Sequence, residues 1–497
     1  MTKRPLILAL AFGATLTSAC SSGPDTNPLA PTPTSTITEP PPPPPPPPPP
    51  QLKAASGVAI KEIALYQAIK RTLMADGMPV KSDVPIVAGR DALLRVFVNL
   101  DASHDLTAQL FLDEDEMPIE IVQTIAASST DETLTSTLNF DIPGARITPT
   151  TKYRVVLGEP NVEKAVDAQA LTYPATDSDP ILGENVGETL KIVLAPIAYG
   201  ANAVLPPLTE EQIKMYTDGF RAMYPSPKIE LTVRSEPIAW KYTISPSGAG
   251  WSALLNHVAD VRLADKVGND VYYYAPFTPT TSFGAFCGGG CVAGLGMLGD
   301  AGDNYSRAAI GLGYADPDSI VTALHEVGHN HGRQHAPCEV QDPDPQYPHQ
   351  GGEDGAWGYN LITKQLFPPT TTDIMGYCLN AWISDYTYKA LFDRIKLING
   401  AKRVITPASL KNRLYDRALL NEDGSVQWLS SIRMEEPPIA EEKSVVVESD
   451  GPTETVKGSF YRFDHVEGGV LFWPASTRKT RAIRVDVAAG KSVQLSR

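Results

Sequence analysis

Residues 325–335 read His-Glu-Val-Gly-His-Asn-His-Gly-Arg-Gln-His, and this H-E-x-x-H-x-x-G-x-x-H pattern constrains the chain more than any other stretch. On a helix, His325 and His329 stand one turn apart, so both imidazoles leave the same face and can hold one zinc ion. Glu326 sits beside them as a base for a water proton. Gly332 stops the helix, because a residue without a side chain readily takes the left-handed conformation, and the turn swings His335 back as a third ligand. Three neutral histidines leave a fourth position open to water, whose pKa zinc lowers to about 7. The short H-E-x-x-H form also arises on solvated helix faces, whereas five positions at set spacing specify a metal site.

The flanking residues agree. Asp316-Pro317-Asp318-Ser319 predicts a helix start with a capping carboxylate and a proline in the first turn. Ile320, Val321, Leu324 and Val327 then supply an apolar face. His331 occupies a variable position of the motif and faces elsewhere; His257 and His349 join no constellation, and His104 belongs to a polar, solvated turn.

Followed by Asp373-Ile374-Met375-Gly376-Tyr377, the motif resembles that of the metzincin clan of zinc endopeptidases. The resemblance implies that Met375 forms the Met-turn, an apolar floor under the three histidines, and that Tyr377 helps to stabilise the tetrahedral intermediate. Taken alone, Met375 reads as an ordinary core methionine and Tyr377 as its packing neighbour. Within the clan, Gly328-His329-Asn330 and residues 382–388 most resemble the secreted mucin-cleaving metzincins of bacteria and the gametolysin-like enzymes. Ala336 sets the chain apart from astacins, matrixins, adamalysins and serralysins.

Lys3 and Arg4, an apolar run over 6–16 and Thr17-Ser18-Ala19-Cys20 predict a signal peptide over 1–19. The small residues before Cys20 resemble a bacterial lipoprotein site, with Cys20 lipidated as a membrane anchor; ordinary cleavage near Ala19 is the alternative. Residues 20–52 form a proline-rich stalk, unbroken proline over 40–50, which favours an extended polyproline II rod. The expected address is therefore that of an exported bacterial lipoprotein at the cell envelope or surface. Of five cysteines, four remain if Cys20 carries lipid, an even set for an oxidising compartment. Cys287 and Cys291 flank three glycines and can close a small loop. In a metzincin arrangement the segments carrying Cys338 and Cys378 converge beneath the zinc, which implies a second bridge, although four cysteines allow three connectivities.

The fold class expected is multidomain α+β. Alternating strands over 53–180 predict a β-sandwich, and residues 188–400 alternate strands and helices. The resemblance makes the latter a metzincin-like zinc peptidase domain, a twisted mixed sheet with an active-site helix. Residues 401–497 read as a small β domain that either binds glycans or covers the catalytic domain. The glycine-rich stretch 287–299 does not fit a nucleotide loop; by resemblance it is an edge strand to which an extended substrate adds itself. Asp342, Asp344, Glu353 and Asp354 match no defined calcium loop and read as solvated turn carboxylates in preference to a Ca²⁺ site. With 57 acidic against 42 basic side chains, a net charge of −15 and no basic run, the chain is a poor nucleic-acid binder.

The function expected is that of a membrane-tethered, exported zinc endopeptidase acting on extracellular proteins or glycoproteins. Its alternative is a surface adhesin or glycan-binding lipoprotein with a structural zinc, which a closed fourth ligand position would favour. No cysteine follows Cys20 before the catalytic region, so a cysteine-based latency switch is not expected there.

Overall fold

The computed structural model describes residues 52, 55 and 57–497, apart from 116, 160–170, 175–179, 181, 183–184, 379, 401–407, 422 and 489–490. The signal peptide, Cys20 and the proline run lie outside the described residues. What is described is mostly β, with few helices.

Two antiparallel sheets face each other at the N-terminal end. One orders its strands Met78–Pro79, Lys70–Ala75, Val58–Tyr66, Ala92–Leu100, Leu138–Ile142; the other Ile119–Ile125, His104–Leu112, Tyr153–Gly158, Thr172–Tyr173. Leu94, Val96, Leu106, Leu110 and Val155 meet in the shared core, each large side chain contributing roughly 1.5–3 kcal/mol on burial. Ala92–Leu100 departs from simple alternation and is buried over its first seven residues. Its outer face, with Leu93 and Phe97, lies under Tyr359. Arg95 is tolerated there because the carbonyls of Thr130, Asp131 and Thr133 and the hydroxyls of Tyr66 and Thr137 take up its guanidinium. His104 opens a strand instead of lying in a solvated turn: Nδ1 meets Glu159 at 3.1 Å and Nε2 meets Asp101 at 3.2 Å. The bond to Asp101 raises its pKa.

The central region is built on a five-stranded sheet ordered Ile229–Val233, Leu190–Leu194, Val271–Phe277, Ala308–Leu312, Gly294–Gly296. The first four run parallel and the last is antiparallel. Val271–Phe277 and Ala308–Leu312 are almost continuously buried, as strands covered on both faces must be. Helices α1 (Glu210–Met223) and α4 (Pro317–Asn330) cover one face, with Tyr216, Phe220, Ile320 and Leu324 in the core. Helix α2 (Trp251–Ala264) covers the other through Trp251, Leu254 and Val258. The Thr209 hydroxyl caps α1 by accepting from the Gln212 amide. Helices α3 (Phe283–Cys287) and α5 (Asp385–Gly400) complete the set among the described residues.

The C-terminal end is a seven-stranded antiparallel sheet ordered Val426–Met434, Arg413–Leu420, Gly469–Pro474, Glu454–Arg462, Glu441–Ser449, Thr480–Ala488, Lys491–Ser496. Trp428 on one edge strand donates to the Ser496 carbonyl on the other at 3.1 Å, so the sheet coils towards closure. Tyr415, Leu419, Tyr461 and Phe472 join the same apolar cluster as Trp251 and Tyr305 of the central region. Arg417 forms a two-bond pair with Asp260 of α2, and Tyr461 donates to Asp303.

Candidate metal centre

Helix α4 carries the motif. Asp316 caps it, accepting from the Ser319 amide at 2.8 Å, and Pro317 occupies the first turn. Ile320, Leu324 and Val327 are buried along one stripe. Val321, expected on that face, is 40% exposed instead. It stands about 100° around the helix from Ile320, off the stripe that residues spaced by four and three positions define. The helix ends at Asn330. Gly332 follows at φ +79°, its amide donating to His329 O and that of Arg333 to Gly328 O. A Cβ at Gly332 would lie 2.8 Å from Gly299 O, so a side chain is excluded by space as well as by φ.

This turn brings His335 to the other two histidines. Side-chain atoms of His325, His329, His335, Asp464 and His465 lie within 4.8 Å of one another and form a group able to hold a metal ion. His325 Nδ1 lies 2.8 Å from Ile374 O and His329 Nδ1 lies 2.6 Å from Arg333 O. A carbonyl only accepts, so both Nδ1 atoms donate, and each Nε2 is left with its lone pair. Those two Nε2 atoms face each other at 2.9 Å. Asp464 Oδ2 lies 2.8 Å from His329 Nε2 and 2.9 Å from His335 Nε2, buried and without an aligned donor. One proton can serve one such pair. A multivalent cation can satisfy several lone pairs around one point together, and nitrogen and carboxylate donors are a set able to hold one.

The surroundings set the charge states. Burial pushes His325 well below the ordinary histidine range, and the neighbouring imidazoles add to the effect. Burial opposes the charge on Asp464, yet the rings of His329 and His465, in their protonated forms, hold its carboxyl well below the usual range. Burial likewise opposes a charged His465, but Glu326 and Asp464 push it up to about 9.

Glu326 is 1% exposed and lies under the edge strand. A Cβ at Gly294 would stand 2.4 Å from Glu326 Oε1, and one at Gly296 would stand 2.8 Å from Glu326 O. The glycine-rich stretch therefore lets the antiparallel edge strand lie directly against α4. Asn330 ties the far end of the helix to the same place by donating to Met297 O and Ala308 O.

The segment 373–377 forms the floor. The Asp373 carboxylate accepts from the Met375 and Ser384 amides, shaping a turn that points Ile374 O at His325. Met375 is buried so closely against α4 that a Cβ at Gly328 would lie 2.5 Å from its sulfur. The Tyr377 hydroxyl is 3.1 Å from His335 Nε2 and also bonds His465 Nδ1. Cys338 pairs with Cys378, joining the segment after His335 to this turn, and Cys287 pairs with Cys291.

Asp464 and His465 were not anticipated. They come from the tip between strands Glu454–Arg462 and Gly469–Pro474 of the C-terminal sheet, and they add a carboxylate and an imidazole to a group that the motif alone limits to three histidines. His465 Nε2 pairs with Glu326 Oε1 at 2.8 Å. The available signal was slight: of eight histidines, His465 alone lies in the C-terminal region, beside an aspartate and shortly before two glycines.

The remaining histidines are structural. His331 stacks on Tyr272 with ring centroids 4.1 Å apart, and burial pushes its pKa down to about 3. His349 stands outside the group and bonds Asp385 at the start of α5 at 2.7 Å. His257 lies beside Trp240. Of the loop carboxylates, Asp344 accepts from Tyr386 and the Gln346 amide. Asp354 is fully buried with neither oxygen hydrogen-bonded, not solvated as expected.

No family model matches the chain, and a search of curated proteins returns no match either.

Proposed function

We propose that the protein is an exported zinc endopeptidase of metzincin type that hydrolyses peptide bonds in extracellular proteins, glycoproteins among them. The observation that carries this reading is Glu326, a buried carboxylate beside the histidine group that is not itself one of the converging donors. A purely structural centre needs no such base.

His325, His329 and His335 hold the zinc ion, which when bound supplies Lewis acidity to the carbonyl under attack. Glu326 accepts the proton of the attacking water and returns it to the leaving amine. Tyr377, through its hydroxyl, donates to the developing oxyanion. The edge strand Gly294–Gly296 presents main-chain groups to an extended substrate. Met375 and its turn hold the ligands from below. Cys20 anchors the chain to the membrane through lipid, with the proline stalk as spacer; the two disulfides support an oxidising address.

A second reading, a surface adhesin or glycan-binding lipoprotein with a structural zinc, is favoured by one observation: Asp464 adds a carboxylate oxygen 2.8 Å from His329 Nε2 and 2.9 Å from His335 Nε2. The two readings part on Glu326→Ala. The peptidase predicts one zinc per chain in parent and variant, with cleavage of a panel of glycosylated and unglycosylated proteins at least about a hundredfold lower in the variant. Full zinc with no cleavage, even after the C-terminal tip has been cut, would move the assignment to the structural reading.

A further inference from the structure

We propose that the tip carrying Asp464 and His465 is a resident substrate mimic that keeps the metal centre closed until it is withdrawn. The inference rests on the peptidase reading of the same site. Three features of one short segment converge on it. Phe463 pairs antiparallel with Met297, immediately beyond the edge strand Gly294–Gly296, so the chain enters the cleft alongside the main chain offered to an extended peptide. The next residue, Asp464, places Oδ2 within 2.9 Å of both His329 Nε2 and His335 Nε2. The residue after that, His465, holds Glu326 on one ring nitrogen and Tyr377 on the other. Main-chain pairing, fourth ligand, base and oxyanion donor are thus all engaged by three consecutive residues.

The tip is seated, not loosely draped. Phe463 is 6% exposed within the apolar cluster shared with α2, and Val466 packs against that cluster. These two apolar residues anchor the Asp464-His465 pair between them. A buried carboxylate without an aligned donor is costly unless a cation compensates it, so the closed arrangement is coupled to metal loading. The sheet is also fastened outside the tip, by the Arg417–Asp260 pair and the Tyr461–Asp303 bond. A cleft of about 730 Å³ lies beside the tip, bounded by Glu339, Asp342 and His335, and provides space into which it can move. The tip can therefore leave the centre while the sheet stays in place.

The test uses full-length folded chain with cobalt in place of zinc, so that ligand exchange is read from the visible absorption spectrum, with acetohydroxamate as the probe and proteolysis measured in parallel. Parent, Asp464→Ala and a chain cut after folding at a protease site inserted between Val466 and Glu467 are compared. The expected result is probe binding at least about tenfold tighter in the variant and the cut chain than in the parent. Equal probe binding in all three, or loss of cobalt from both the variant and the cut chain, would overturn the proposal. Tighter probe binding without proteolysis would uphold the closed tip and remove the peptidase reading instead.

Discussion

His325 and His329 owe their ligand geometry to two carbonyls that lie outside the ligand positions of the motif, Ile374 O and Arg333 O. Committing Nδ1 to a carbonyl fixes the tautomer and aims Nε2 inward, the arrangement that metal-binding histidines use. Asp354 shows the opposite case. Burial, with Asp373 and Asp385 nearby, pushes its carboxyl up to about 9. Between its ordinary value of 3.8 and about 9 the folded chain keeps a proton that the unfolded chain releases. Its contribution to stability is therefore complete below about pH 4 and is lost as pH climbs through the folded value. Asp354→Asn, which carries no titrating proton, should show a shallower fall in melting temperature between mildly acidic and mildly alkaline buffer. Identical slopes in parent and variant would show that Asp354 does not carry this dependence.

At the scale of elements, helix α4 and its terminating turn work as one device. The cap at Asp316 starts it, the stripe Ile320, Leu324, Val327 packs it, and Gly332 ends it in the left-handed region. Gly332→Ala forces an L side chain into that region at about 1–2 kcal/mol and also drives a Cβ towards Gly299 O. The expected outcome is a loss of roughly 1–3 kcal/mol by denaturant titration, with faster removal of zinc by a chelator because His335 is misplaced. Unchanged zinc retention would mean that the turn does not position His335. Edge-strand glycines act by the same logic of space: Gly294 and Gly296 are small because Glu326 and His329 lie against them.

At the scale of the molecule, the C-terminal sheet shares a core with the central region and contributes Asp464 and His465 to its candidate metal site. Arg417, its side chain 3% exposed, pairs with Asp260 across that junction. Arg417→Ala leaves Asp260 with the Tyr305 hydroxyl but without its cationic partner and should cost roughly 2–4 kcal/mol, below the figure for a fully buried pair because Asp260 keeps some solvent. Because the tip moves apart from the docked sheet, the same variant should release cobalt to a chelator no faster than the parent. Lower stability with unchanged metal release would show that the tip holds its place independently of the docking contact.

The sequence by itself determined the pieces set by neighbours: the capped helix, the two histidines on one of its faces, the glycine turn and the third histidine all lie within 20 residues, where backbone geometry alone relates them. Strands such as Ile119–Ile125 and Tyr153–Gly158 were legible through alternation, whereas Ala92–Leu100 is buried on both faces and does not alternate. Only the tertiary structure decided that Asp464 and His465, separated from the motif by more than a hundred residues, join the three histidines. It also decided that Val321 faces solvent, that His104 and His349 pair with carboxylates and that Asp354 is buried. Those outcomes depend on which surfaces meet when distant segments pack, and local sequence carries the chemistry of such residues without the identity of their partners.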